Sequence, residues 1–340
     1  MEIDFLEYKV RNRDTLNSIA SRLGITKEEL KLFHNSHCQR MDKIWFDHLN
    51  EVKTVFVPLQ VQTEKQKDRE KKNTLPSTQL SNSFFAKAYT IAETFESPFE
   101  PTLTIDYTVS IDVRKDKGTN HHSISYSQDH FKTHGNTPED KISGLSIASM
   151  KSIMPIDFTL NDSGKITGFT DHRKITQAFS EQRKNLDFFA GEISEHYMDK
   201  FEKNISDEKF FLRQLQSTLL FQVLFPKLEW FHKKTEWTES FYFLQNSFSV
   251  PCTMEIEQEN EDQDYITTTL TGNSAAFYSL QELRTGIKYN EPVDDPVSGN
   301  IIIEYTTHKK NRNLVQASAT VSLWREEELI QKHIITITQG

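Results

Sequence analysis

Residues 8–35, YKVRNRDTLNSIASRLGITKEELKLFHN, constrain the fold more than any other stretch of the chain. Tyr8 and Val10 alternate with Lys9 and Arg11, the period of two of a half-buried strand. Asp14 stands where an N-cap belongs, its carboxylate placed to accept from the first amides of a helix. Leu16, Ile19, Ala20 and Leu23 recur at helical spacing and make one apolar face. Gly24 follows them as a left-handed C-terminal residue would. Thr26 and Glu29 form a capping box for a second helix carrying Leu30 and Phe33. Further on, VKTVFVP sets Val52, Val55 and Val57 in a β-rich run closed by Pro58. The sequence thus predicts a β-α-α-β unit over residues 5–60, with Leu16, Ile19, Leu23, Leu30 and Phe33 in its core.

These residues resemble the LysM family. Tyr8, Val10, Asp14, Thr15, Leu16, Ile19, Ala20, Leu30, Asn35, Val57 and Pro58 match its features in order and spacing. Those features are a Y-x-V strand, a Gly-Asp-Thr-Leu loop, an Ile-Ala pair, an Asn closing the second helix, and a last strand ending in Ile/Val-Pro. The resemblance covers residues 5–60 and implies a groove for N-acetylglucosamine polymers between the loop before the first helix and the loop after the second. Arg13, Asp14, Thr15, Leu16, Asn35, Trp45 and Phe46 are therefore the candidate glycan- or partner-binding residues. Two features depart from the family. Its first-loop glycine is Arg13 here, which makes close backbone approach to a sugar harder. The second loop, SHCQRMDKIWFDHLNE, is several residues longer and lacks the glycine before the last strand. Trp45 and Phe46 offer aromatic surfaces for a sugar face or a partner's pocket, while packing under the two helices is the plainer expectation. The expectation is a fold retained and a groove altered.

Composition narrows the function classes. A net charge of −9 over 340 residues argues against nucleic acid or an anionic membrane as the main partner. Hydrophobic content of 36% with 24 Phe supports real cores. Cys38 and Cys252 fall in different regions and form neither a disulfide framework nor a zinc knuckle. MEIDFLEYKV has no basic n-region or apolar h-region, and no run approaches the ~18 apolar residues of a membrane span. The chain is expected to be cytoplasmic as synthesised, with export only by a dedicated secretion machine.

Residues 61–83 are polar and charged and are expected to be a linker. Residues 84–340 are rich in strand patterns. LTIDYTVSIDV, residues 103–113, places Leu103, Ile105, Tyr107, Val109, Ile111 and Val113 on one face and polar residues on the other. HSISYS is its expected partner, and MPIDFTL and ITGF flank the turn NDSGK. One long helix is expected through Ile175, Phe179, Leu186, Phe189, Ile193, Tyr197 and Phe201, and a second from Asp207 to Phe225, stopped by Pro226. FSVPCTMEIEQ, YITTTLTG, GNIIIEYTT, NLVQASATVSLW and HIITIT are further strands. The fold class is α+β: a LysM-like βααβ module, a linker, and a large antiparallel sheet of about eight to ten strands around two central helices. That order is loosely similar to curved-sheet envelope lipoproteins and lipid carriers, an analogy of fold alone.

Chemistry is sparse. His121, His122, His130 and His134 form the densest histidine group, but SQDHFKTHGNTPED reads as a loop, so solvated histidines are expected and no metal. No nucleophile elbow, zincin, P-loop or dinucleotide-binding pattern occurs, and no cofactor is expected. Cys252 reads as a small core residue and ENEDQD as a solvated hairpin tip. The chain is therefore expected to be non-catalytic. The expected function is an adaptor in bacterial assembly or secretion machinery, docking through the LysM-like module onto a protein; the alternatives are a peptidoglycan- or chitin-binding protein with a cargo domain, or a carrier whose cavity, lined by Phe179, Phe189 and Phe221, holds an apolar ligand.

Overall fold

The computed structural model describes residues 5–49, 52–58, 73–115, 122–189, 191–260, 262–287 and 295–340. It divides into two compact units, Met1–Asn73 and Thr74–Gly340.

In the first unit, β1 (Phe5–Lys9) pairs antiparallel with β2 (Thr54–Pro58), Tyr8 opposite Val55. Between them run α1 (Leu16–Leu23), α2 (Lys27–His37) and a 3-10 turn, Arg40–Asp42. Leu16, Ile19, Ala20, Leu30, Ile44, Val55 and Val57 are buried together. Leu23 is only partly buried, and Phe33 lies half-buried with its ring stacked on His37 at 4.2 Å. Gly24 closes α1 at φ +74°, and Thr26 and Glu29 make the capping box that the sequence predicts.

The N-cap of α1 is a correction. Thr15, not Asp14, caps the helix, exchanging bonds with Ser18 in a capping box of its own. Asp14 instead accepts from the Arg11 N–H, the Tyr8 hydroxyl and the Arg22 guanidinium. One residue of shift converts an expected cap into a tie between the loop, the strand and the helix.

Among the described residues, the second unit is built on a 12-stranded antiparallel sheet. Its strands are β3 (Ala88–Ser97), β4 (Glu100–Lys115), β5 (His122–Thr133), β6 (Ile156–Leu160), β7 (Ile166–Phe169), β8 (Trp237–Phe241), β9 (Val250–Glu259), β10 (Tyr265–Ser274), β11 (Tyr278–Ser279), β12 (Pro296–His308), β13 (Leu314–Arg325) and β14 (Glu328–Gln339). Their spatial order is β7-β6-β5-β4-β3-β14-β13-β12-β10-β9-β8, with β11 pairing with β12. The first and last long strands, β3 and β14, are thus neighbours in the middle of the sheet, Glu93 opposite Ile335. The sheet exceeds the eight to ten strands expected, and the expected loop after residue 126 continues as β5 to Thr133.

The helical part is also more divided than expected. α3 (Lys141–Ser152), capped by Asp140, has no counterpart among the sequence expectations. The single long helix through residues 175–201 is instead α4 (His172–Arg183), a 3-10 stretch Lys184–Phe189, and α5 (Glu192–Ser206). Gly191 sits at φ +138°, which no helical residue adopts, and Ile193 beyond it is exposed. The second expected helix breaks into α6 (Glu208–Gln216) and α7 (Leu219–Leu224), because the Thr218 hydroxyl turns back to cap a new start. Every residue of α7 is buried, and the Tyr305 hydroxyl on β12 donates to the Val223 carbonyl at 3.1 Å. A short α8 (Leu280–Thr285) precedes β12.

Much of the expected linker, residues 61–72, lies outside the described residues. The rest, 73–83, is packed rather than free. Leu75 and Leu80 are buried, the Leu80 N–H donates to the Asp162 carbonyl at 2.8 Å, and His232 meets the Pro76 carbonyl at 2.6 Å.

Candidate functional site

The candidate residues of the first unit fall into two groups. In the first loop, Arg13 adopts a left-handed conformation, φ +80°, and carries an exposed side chain there. Asp14 is occupied as described, and its carboxyl is held below the usual carboxylate range by the Arg11 amide and then by Arg22. Thr15 is a cap and Leu16 is buried, so both serve the fold.

In the second loop, Asn35 makes a two-bond clamp with Ile44: its Nδ2 donates to the carbonyl at 3.0 Å, and its Oδ1 accepts from the amide at 2.8 Å. The next two residues depart from the expectation of burial. Trp45 is 69% exposed and Phe46 70%. Lys27 Nζ donates to Asp47 at 2.7 Å and Lys31 Nζ to the Trp45 carbonyl at 3.0 Å, so α2 holds the loop with its aromatic pair outward. Ile44 takes the buried position beside them. Among the described residues, no hydrogen bond, ion pair or ring contact joins Arg13, Asp14 or Thr15 to Trp45 or Phe46.

The second unit contains a cavity of about 790 Å³ between one sheet face and the helices. Because side chains alternate along a strand, Glu93 and Phe95 on β3, Ile105 and Tyr107 on β4, and Gln331 and His333 on β14 share that face. Tyr197 and Phe201 of α5, Phe211 of α6 and Phe221 of α7 line the opposite side. Of the three phenylalanines expected around a cavity, Phe221 is there. Phe179 is fully buried, packed on Phe201 at 4.9 Å, and the Phe189 side chain lies outside the described residues.

The polar wall of the cavity escaped sequence reasoning. The Tyr107 hydroxyl donates to Glu93 Oε1, and His333 Nε2 meets Glu93 Oε2 at 2.6 Å. Burial, and next the Glu93 charge, push the Tyr107 phenol well above its usual range, so it remains a donor. His333 stacks on Phe95 at 4.1 Å, and Tyr107 on Phe131 at 5.1 Å, where β4 and β5 slip register. In AYTIAETFES, Glu93 shares the alternating face of Tyr89, Ile91 and Phe95, which was the available signal.

Elsewhere the chemistry is quiet. His121 lies outside the described residues, while His130 and His134 bond Thr108 and Thr104 at 3.0 and 2.8 Å. Among the described residues, no group of three or more His, Cys, Asp or Glu is placed to hold a metal ion. Among them, too, no helix is long and apolar enough to cross a membrane.

No family model matches the chain, and no curated protein matches it. Among solved structures it is similar to one described as lipid–protein interactions in lipovitellin, at 12% identity and a TM-score of 0.36. The match covers 74% of this chain and 24% of that one. A likeness this slight says nothing about what the chain does.

Proposed function

We propose that the second unit is a carrier that holds one apolar-tailed small molecule between its sheet and helices. The observation that supports this is the cavity itself. Its volume of about 790 Å³ falls within the ~300–1,000 Å³ typical of small-molecule sites, and aromatic and aliphatic side chains make up more of its lining than polar ones do. The test is titration of the full chain with a neutral solvatochromic dye, then displacement by dodecanol. One saturable site per chain is expected, weakened roughly tenfold or more by Val321→Phe, which puts a ring into the cavity. Dye binding that never saturates, or that ignores Val321→Phe, would overturn the carrier reading.

A second reading concerns the first unit and rests on the exposure of Trp45 and Phe46. In this reading the LysM-like module is a docking piece of an adaptor, with these two rings as anchors for a protein partner. Large exposed aromatics are the residue types that dominate binding energy at such interfaces. Arg13 and the long second loop change both walls of the groove that the family uses for glycans. Titrating the full chain with N-acetylglucosamine oligomers should give weak binding or none. Saturable micromolar binding abolished by Trp45→Ala would instead support the glycan alternative.

A further inference from the structure

The polar wall deepens the carrier reading, on which this inference rests. Among the described residues lining the cavity, Glu93 brings the one carboxylate and Lys200 the one ammonium. Their settings differ. Lys200 is exposed, whereas the Glu93 side chain is only 14% exposed and the His333 side chain 15%. Ile105 lies opposite Glu93 across the strand pair, and the carboxylate's two partners, His333 and Tyr107, stack on Phe95 and Phe131.

A carboxylate withdrawn from water is costly unless its charge is balanced and its lone pairs are filled. Tyr107 and His333 fill one site on each oxygen. A carboxylate offers about four such sites, so roughly two remain for a ligand. Tyr107 is neutral, and His333 adds no positive charge in its neutral form. With His333 neutral, neither side chain bonded to Glu93 carries a balancing positive charge, and the occupant of the cavity can supply it. Aromatic faces beside the carboxylate favour a cation further.

We propose that the cavity selects single-chain amphiphiles with a primary ammonium head, and that Glu93 is the counter-charge that recognises it. The ammonium donates to the open lone pairs of Glu93, and the tail lies along Phe201, Phe211 and Phe221. Tyr107 and His333 are positioning residues that hold the carboxylate.

The test compares three ligands of one chain length, dodecylammonium, dodecanol and dodecanoate. Each displaces the neutral dye from the full chain at pH 8, where an ordinary imidazole is neutral, and below its aggregation concentration. Dodecylammonium should displace at a concentration roughly tenfold or more below dodecanoate, with dodecanol between. Glu93→Gln should bring the three within about twofold of one another, with dodecylammonium losing the most. Should that variant not fold, the ranking on the unaltered chain decides, and Lys200→Ala should preserve it. Equal displacement by all three, or tightest binding of dodecanoate, would overturn the ammonium assignment and leave the carrier reading standing. A dodecylammonium preference that survives Glu93→Gln would mark adsorption to the acidic surface and equally overturn it. If none of the three displaces the dye, both readings fall.

Discussion

The backbone N–H of Phe56 donates to His34 Nδ1 at 3.1 Å, and the same imidazole meets the Asp42 carbonyl through Nε2 at 2.8 Å. With Nδ1 accepting, Nε2 carries the proton, so a fully buried neutral histidine ties β2 to the turn after α2. His34→Ala leaves the half-buried Phe56 amide and the Asp42 carbonyl without this partner and opens a cavity where the ring lay.

The expected cost is about 2–4 kcal/mol, set by two orphaned groups at roughly 1–3 kcal/mol each less some relaxation. A unit this small has only a few kcal/mol to lose. Amide exchange should therefore show residues 5–58 losing protection while β9–β14 keep theirs. Concerted loss in both units would show that they do not fold separately.

Gly299 on β12 faces Phe243, and a Cβ there would lie 2.3 Å from the ring. Phe243 also lines the cavity. Gly299→Ala should drive the ring into the ligand space, costing about 1–3 kcal/mol as overpacking does. Dye affinity should fall together with thermal stability. Unchanged affinity would place the ligand away from that end of the cavity.

The two thiols should report folding separately. Burial pushes the Cys252 thiol up to about 12, and the side chain is fully buried. Burial also raises Cys38, less completely, in a partly exposed position. A thiol reagent at pH 8 should label Cys38 slowly and Cys252 only in denaturant. Native labelling of both would contradict the packing of β9.

Lys165 carries a pH signature. Burial lowers its ammonium to about 8, with Glu239 opposing the shift and Lys227 adding to it. The unfolded side chain titrates near ~10.4. Between those values the unfolded state binds more protons, so this group makes stability rise with pH, and below pH 8 the penalty is full. Lys165→Met should be more stable than the parent at pH 7, with the difference shrinking from pH 8 to 10. A variant less stable at pH 7 would show that the cation over Trp230, 5.1 Å from the ring centre, outweighs the burial cost.

Short-range chemistry was legible in the sequence. The capping box of Thr26 and Glu29, the left-handed Gly24 and the inward Tyr107, Val109 and Ile111 each depend on neighbours within a few residues. Where the reading missed, the competition was also local but nearly balanced. Thr15 displaced Asp14 as cap by one position, and Gly191 and Thr218 broke helices whose apolar stripes ran on past them.

The candidate sites depended on longer relationships. Trp45 and Phe46 face outward because Lys27 and Lys31, a helix away in sequence, hold Asp47 and the Trp45 carbonyl. Glu93 meets Tyr107 across one hairpin, and His333 from 240 positions along the chain. Alternation along β3 and β14 could assign each side chain to a face, because that needs only the strand's own period of two. It could not say that the two strands would be neighbours. That pairing is chosen by the whole sheet, whose central position for both strands buries Ile91, Ile335 and Ile337 together and carries Glu93 and His333 into contact.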